Sequence, residues 1–329
     1  MNIFITGATG YIGNNLAHTL AGTGHTVHAL VRNDSKKHLL KHPNIKVVTG
    51  DILDQISIAT GMKGCTQVYH TAAAVAPWIK DPGNFYKVNV GGTQHVLEAA
   101  AELGISKVVV TSSCGVFGPS LLEPMREDDP RITGFKTDYE LSKKIAEGVV
   151  LEYTRQGMDA VLVYPAKVYG HGHVSHSLTA NAVIDKFIKK KIAFIPSPGT
   201  YKACFCFIDD VVNGHVLAMQ HGASGERYIL GGNNVSYFQF FNKIRQLSGC
   251  RGKIINLSPM LLKGWALAQD ICYRTMGKPP SFTMKGVDIV LSNYIFSSDK
   301  AIKQLGYQVT SLDEALIKTI RFLKTQHHE

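Results

Sequence analysis

Along the first half of the chain, short apolar runs alternate with stretches in which apolar residues recur every three or four positions. Residues 3–6, 26–31, 46–49, 67–69, 107–111 and 160–164 have strand length and are rich in β-branched and aromatic side chains. Residues 12–20, 85–103 and 139–153 between them carry helical periodicity. This alternation predicts an α/β fold, a doubly wound parallel sheet of Rossmann type with helices on both faces. Such a sheet takes ligands outside the carboxyl ends of its strands. After Pro165 the rhythm loosens. Helices are expected over 178–190, 209–220, 237–247, 259–276, 283–291 and 312–324, and strands over 204–208 and 227–230, with a turn at Pro196-Ser197-Pro198-Gly199. Residues 1–165 therefore read as one ligand-binding domain built on that sheet. Residues 166–329 read as a smaller, mostly helical substrate-binding lobe, with segments near 204–230 able to return to the main sheet. The stretch 259–276 is apolar nearly all round, which predicts a helix buried in that lobe or covering something apolar.

Composition narrows the class. The chain has 329 residues, 45% of them hydrophobic and 18% charged, the balance of an ordinary globular protein. Its longest apolar runs are strand-sized and too short to span a bilayer. Because a strand-like segment starts at Asn2, the N-terminus reads as structural rather than as a secretory signal. Six scattered cysteines without a disulfide spacing read as reduced thiols, so a cytoplasmic location is expected. The net charge of +10 suits an anionic cofactor, substrate or membrane surface. Basic residues are spread without interleaved aromatics, so no nucleic-acid partner is expected. His171, His173 and His176 crowd one loop, yet no cysteine or carboxylate completes a ligand set. No metal is expected there.

The candidate chemistry begins at Thr6-Gly7-Ala8-Thr9-Gly10-Tyr11-Ile12-Gly13, after the first strand and into the first helix. Gly7 permits a tight turn, Gly10 lets a pyrophosphate approach the helix N-terminus, and Gly13 allows close helix–sheet packing. At the end of the second strand, Val31 stands where a dehydrogenase using NAD carries an acidic residue. Arg32 follows it, with Lys36 nearby, and a guanidinium suits the 2′-phosphate of NADP. Asp34 is the competing reading, an acid that could serve the ribose. Tyr139 and Lys143 are four apart, hence on one face of a helix. An ammonium beside a phenol lowers its pKa toward a working range. Ser113, at the end of the fifth strand, can hydrogen-bond a substrate carbonyl oxygen.

Together, Gly7, Gly10, Gly13, Asp51, Ser113, Tyr139 and Lys143 resemble the extended short-chain dehydrogenase/reductases. The stretches at 164–170, 207–211 and 227–232 resemble the dihydroflavonol 4-reductase-like branch of the NAD-dependent epimerase/dehydratase family. The resemblance spans nearly the whole chain. It implies NADP(H) held by Gly7, Thr9, Gly10, Tyr11, Ile12, Gly13, Arg32, Lys36, Asp51, Ile52, Thr71, Ala72, Ala73, Tyr139, Lys143, Tyr164, Pro165 and Val168. It implies catalysis by Ser113, Tyr139 and Lys143: hydride passes to a carbonyl carbon, Tyr139 gives its proton to the forming alkoxide, and Ser113 holds the oxygen. Lys143 lowers the tyrosine pKa and binds the nicotinamide ribose. Trp78, Phe117, Phe135, Lys167 and Tyr169 are candidates for the substrate mouth. A homodimer is also implied, through helices 85–103 and 139–153, with Val88, Val96, Ala99, Ala146 and Val150 as interface candidates that could equally pack inward on the sheet.

The leading function is NADPH-dependent reduction of a carbonyl on a largely hydrophobic small molecule, with peripheral membrane contact as an associated expectation. A nucleotide-sugar epimerase and a 3-hydroxysteroid-type dehydrogenase use the same Ser-Tyr-Lys set. A dehydratase is disfavoured, since Cys114-Gly115 stand where that branch carries its carboxyl pair. An NADP-sensing scaffold is the non-enzymatic alternative.

Overall fold

The computed structural model describes residues 1–32, 34–76, 78–172 and 180–326. Seven strands form the main sheet: β1 (Asn2–Thr6), β2 (Thr26–Val31), β3 (Ile45–Thr49), β4 (Gln67–His70), β5 (Lys107–Thr111), β6 (Ala160–Pro165) and β10 (Arg227–Leu230). All are parallel, in the order β10-β6-β5-β4-β1-β2-β3. The order reverses between β1 and β4, and that crevice is where such sheets bind ligands.

Strand alternation sorts the side chains between two cores. Ile3, Ile5, Val109, Val161 and Val163 face one side, packing with Leu16 and Leu20 of α1 (Tyr11–Gly22). Val212 of α7 (Ile208–His221) and Leu316 of α12 (Leu312–Thr325) join that core. Phe4, Val68, Val108, Val110 and Leu162 face the other side. There they meet Ile58 of α2 (Gln55–Met62), Val96 and Leu97 of α4 (Gly92–Glu102), and Val150 of α5 (Asp138–Arg155). The sheet is thus covered on both faces, as the sequence pattern predicts.

The helix expected over 85–103 is interrupted. A short α3 (Gly83–Tyr86) runs into a π-helical turn at Lys87–Gly91 before α4 begins. The five residues expected at a dimer face turn inward instead. Inward packing is the equal alternative for these residues: Val96, Ala99, Ala146 and Val150 are buried within the chain itself, and Val88 packs against the core.

Beyond the sheet, β7 (Lys167–Tyr169), β9 (Lys202–Phe207) and β11 (Asn233–Ser236) make a three-stranded sheet. Of the segments near 204–230, only β10 pairs within the main sheet; β9 lies between β7 and β11. A two-stranded sheet, β8 (Ile192–Pro196) with β12 (Lys253–Leu257), packs against α6 (Ala180–Lys190) and α8 (Tyr237–Ser248), with α9 (Pro259–Met276) and α10 (Met284–Val290) packed on each other beside it, while α11 (Asp299–Leu305) lies against α7 and β10. The expectation that α9 is buried inside the lobe fails. Only Leu262 and Ala266 are buried on it, packed with Val287 of α10. Apolar periodicity marks a helix but does not say whether protein covers it. We call α9 and α10 the cap.

Candidate active site

The loop between β1 and α1 is shaped around its glycines. Gly7 has φ +75°, and a Cβ there would lie 2.6 Å from the Ala72 nitrogen. A Cβ on Gly13 would lie 2.5 Å from Thr71 Oγ1. No side chain caps the N-terminus of α1, where Gly10 stands, and no acid lies in its first turn. That leaves the first-turn N–H groups and the positive end of the helix dipole open to an anion. Thr9, Tyr11 and Ile12 border this opening half-buried. The cradle therefore fits a dinucleotide pyrophosphate.

The other expected cofactor residues lie along the same edge. Arg32 follows β2 with its side chain 76% exposed, Nη1 4.0 Å from Asp51 Oδ2. Lys36 is half-buried in the following 3-10 turn, and Ile52 is buried against Gly92. The residue before Asp34, and the Asp34 side chain, fall outside the description, as do His173 and His176. Thr71, Ala72 and Ala73 are half-buried after β4, while Tyr164 and Pro165 end β6 and Val168 lies in β7.

Ser113 follows β5 and accepts a hydrogen bond from the Gly115 N–H at 3.2 Å. Thr137 caps α5 through a bond from the Glu140 N–H, and this places Tyr139 in the first turn of the helix. Tyr139 and Lys143 then project from one face of α5. The buried Lys143 Nζ donates to the Thr111 carbonyl at 2.6 Å. Burial lowers the Lys143 pKa to about 8, with the Glu147 carboxylate opposing that shift. Burial raises the Tyr139 pKa, and the Ser113 hydroxyl beside it pulls the other way. A phenol above its ordinary value keeps its proton at neutral pH, the state required of a donor.

Sequence reasoning missed the groups that hold this set. Arg131 uses all five guanidinium N–H groups. Nη1 reaches the carbonyls of Gly115 (2.7 Å) and Val116 (3.0 Å), beside Ser113. Nε bonds Thr133 O, and Nη2 bonds Gly134 O and Glu140 Oε2, the last at 2.8 Å in a buried ion pair. One side chain therefore ties the serine loop to the residue after Tyr139. Asn89, in the π-helical turn, spans Ala74 O, the Ala74 N–H and Ser142 Oγ; Ser142 in turn donates to Tyr139 O. The only sequence signal was an amide inside a predicted apolar helix.

Of the substrate candidates, Trp78 reaches the cap, its ring 4.6 Å from that of Tyr273 on α9. Phe135 lies against the Arg131 guanidinium at 4.3 Å. Lys167 donates to Tyr237 Oη at 3.0 Å. Phe117 and Tyr169 are corrections. Phe117 is buried against Tyr164, and Tyr169 is buried among Phe205, Phe207 and Phe240. Both fill core and line no mouth, because the sheet–helix junctions there close over them.

Two buried histidines support the strand ends. Thr93 Oγ1 donates to Asn89 O, so it accepts from His70 Nε2–H at 3.0 Å, and His70 Nδ1 accepts from Thr6 Oγ1 at 2.7 Å. His215 Nδ1 donates to Val211 O and its Nε2 accepts from Thr111 Oγ1. Burial lowers their pKa values from 6.5 to about 3 for His70 and about 4 for His215. The unfolded chain takes up these protons near pH 6.5 while the folded one refuses them, so stability falls as pH drops from there. At about 1.4 kcal/mol per unit withheld, the loss by pH 4 is on the order of several kcal/mol. Thermal melts across that interval test this; a Tm that stays flat from pH 6.5 to 4 would rule it out.

His171, at the start of the loop, bonds Asp209 Oδ1 at 2.6 Å. Among the described residues, no cluster of three metal-ligating side chains occurs and no helix is long and apolar enough to cross a membrane.

Known proteins resemble this chain along most of its length. Residues 3–231 match the model of the NAD dependent epimerase/dehydratase family. Sterol demethylase protein B of Methylococcus capsulatus is 30% identical over 98% of both chains. A putative dihydroflavonol 4-reductase of Synechocystis is 29% identical over 98% of this chain and 94% of that one. The crystal structure of gox2253 superposes with a TM-score of 0.82 at 29% identity, covering 98% of each chain. With its glycine cradle open to a nicotinamide dinucleotide and a sheet matched along its length, the chain belongs to the NAD dependent epimerase/dehydratase family, within the extended short-chain dehydrogenase/reductases.

Proposed function

We propose that this protein is an NADPH-dependent reductase of a carbonyl group on a largely apolar small molecule. The observation that carries the reading is the half-buried Tyr139 beside Ser113, at the carboxyl edge of β5 and next to an open glycine cradle, with its phenol pKa held above the ordinary value. When bound, the dinucleotide supplies the hydride. Ser113 orients the carbonyl oxygen, and Tyr139 protonates that oxygen as charge develops on it. Lys143, seated on Thr111, holds a positive charge close to the phenol. Arg32 and Lys36 support a 2′-phosphate, since no acid stands at Val31.

An apolar substrate is supported by the Trp78–Tyr273 contact at the cap and by relatives whose names carry a sterol and a dihydroflavonol. Lys167, already bonded to Tyr237, is less available for an anionic group. The test is NADPH oxidation across ketones of increasing chain length, with catalytic efficiency expected to climb. A flat or falling series would remove the apolar preference. Epimerisation of a nucleotide sugar without net NADPH oxidation would overturn the reductase. In the same assay Arg32→Ala should weaken NADPH about 10- to 100-fold, as expected for a charge-assisted phosphate contact, and NADH far less. Equal weakening would make Arg32 structural.

A further inference from the structure

The ends of α9 are well built. Ser258 caps its start through a bond from the Leu261 N–H, Pro259 occupies the first turn, and Gly277 closes the far end at φ +67°. Yet the protein covers only a narrow strip of this helix, centred on Leu262 and Ala266. Set on a helical wheel at 100° per residue, the uncovered half holds Met260, Leu261, Trp265, Leu267, Ile271 and Met276. Their exposures run from 52% at Trp265 to 78% at Met276. Apart from Thr275, no hydroxyl, amide or charge interrupts that half. The charges fall in one stripe beside it, formed by Lys263, Asp270 and Arg274. A contiguous apolar face of this size is uncommon on a soluble surface.

The charge around the helix says what covers it. Residues 249–285 contain six basic residues and a single acid, Asp270, paired with Arg274 at 2.9 Å; Lys285 also meets Asp138 from outside the stretch, and the other four basic residues have no ion pair among the described residues. Half of the chain's net charge of +10 therefore lies in this short stretch. A second copy of the chain would bring the same positive charge against it. An anionic lipid surface instead complements the basic residues and receives the apolar half-cylinder.

We propose that α9 is a monotopic membrane-docking helix, lying in the plane of an anionic bilayer with Leu261, Trp265, Leu267 and Ile271 in the headgroup–acyl boundary. The opposite edge of the helix, through Tyr273, touches Trp78, so docking sets the cap against the lipid. The proposal goes beyond the reaction assigned above and does not depend on it.

The experiment is co-sedimentation of the full-length protein with vesicles of phosphatidylcholine alone, or of equal phosphatidylcholine and phosphatidylglycerol. Binding at least about tenfold tighter to the anionic vesicles is expected, falling with salt. Leu267→Glu/Ile271→Glu changes two exposed side chains and should abolish binding while leaving Tm and NADPH binding unchanged. Several results would overturn the proposal: no vesicle binding by the wild type, equal binding to both vesicles, or binding that survives the double substitution. So would a dimer in light scattering that the double substitution dissolves, since the face would then belong to a second copy.

Discussion

Tyr139→Phe is expected to cut turnover by about 10³-fold, inside the range of a lost general acid. NADPH affinity should stay within about twofold, because the change removes one hydroxyl and no charge. The ring packs edge-on against Phe85 with centroids 6.1 Å apart, and that contact survives the substitution. What disappears is the proton that burial keeps on the phenol. Single-turnover kinetics with saturating NADPH separates the two effects. Near-normal turnover in the variant would mean that another group protonates the alkoxide and that the assigned chemistry is wrong.

Arg131→Ala has the largest expected effect on stability. It strands the Glu140 carboxylate in a buried site and leaves four backbone carbonyls without their donors. Breaking a buried pair from one side costs about 3–5 kcal/mol. Arg131→Lys should recover little, since three donors on a single nitrogen cannot reach positions fixed by a planar fork. Denaturant titration at unchanged m-value measures the loss. A loss below about 1 kcal/mol would show that the network is not cooperative. In whatever fraction stays folded, kcat should fall more than KM rises, because the Gly115 and Val116 carbonyls beside Ser113 are released.

The main sheet was legible because each strand is a compact β-branched run, and the glycine loop because its conformation tolerates no side chain. Depth was not legible. Phe117 and Tyr169 follow functional motifs closely, so proximity in sequence suggested the mouth, but the fold places both rings in the core. The π-helical turn at Asn89 left no mark, since one extra residue in a turn barely disturbs apolar spacing. Arg131 lies in an aperiodic loop, and its partners come from two other segments, so no local pattern could reveal it. Strands β8, β11 and β12 escaped for a related reason. β8 is apolar at every position, the exposed Ile192 and Phe194 included, so it shows no alternation, while polar residues break up the runs of β11 and β12.

The position of the indoles has an optical consequence. The chain contains two tryptophans. Trp78 meets Tyr273 of α9, and Trp265 stacks on Phe282 just before α10. Emission excited at the red edge of the protein's absorption therefore originates entirely at the cap, none of it from the main sheet. Native fluorescence is thus a site-selective readout without a label. A colour change reports on the surroundings of the cap, and a melt followed by this signal tracks that corner before it tracks the rest of the molecule.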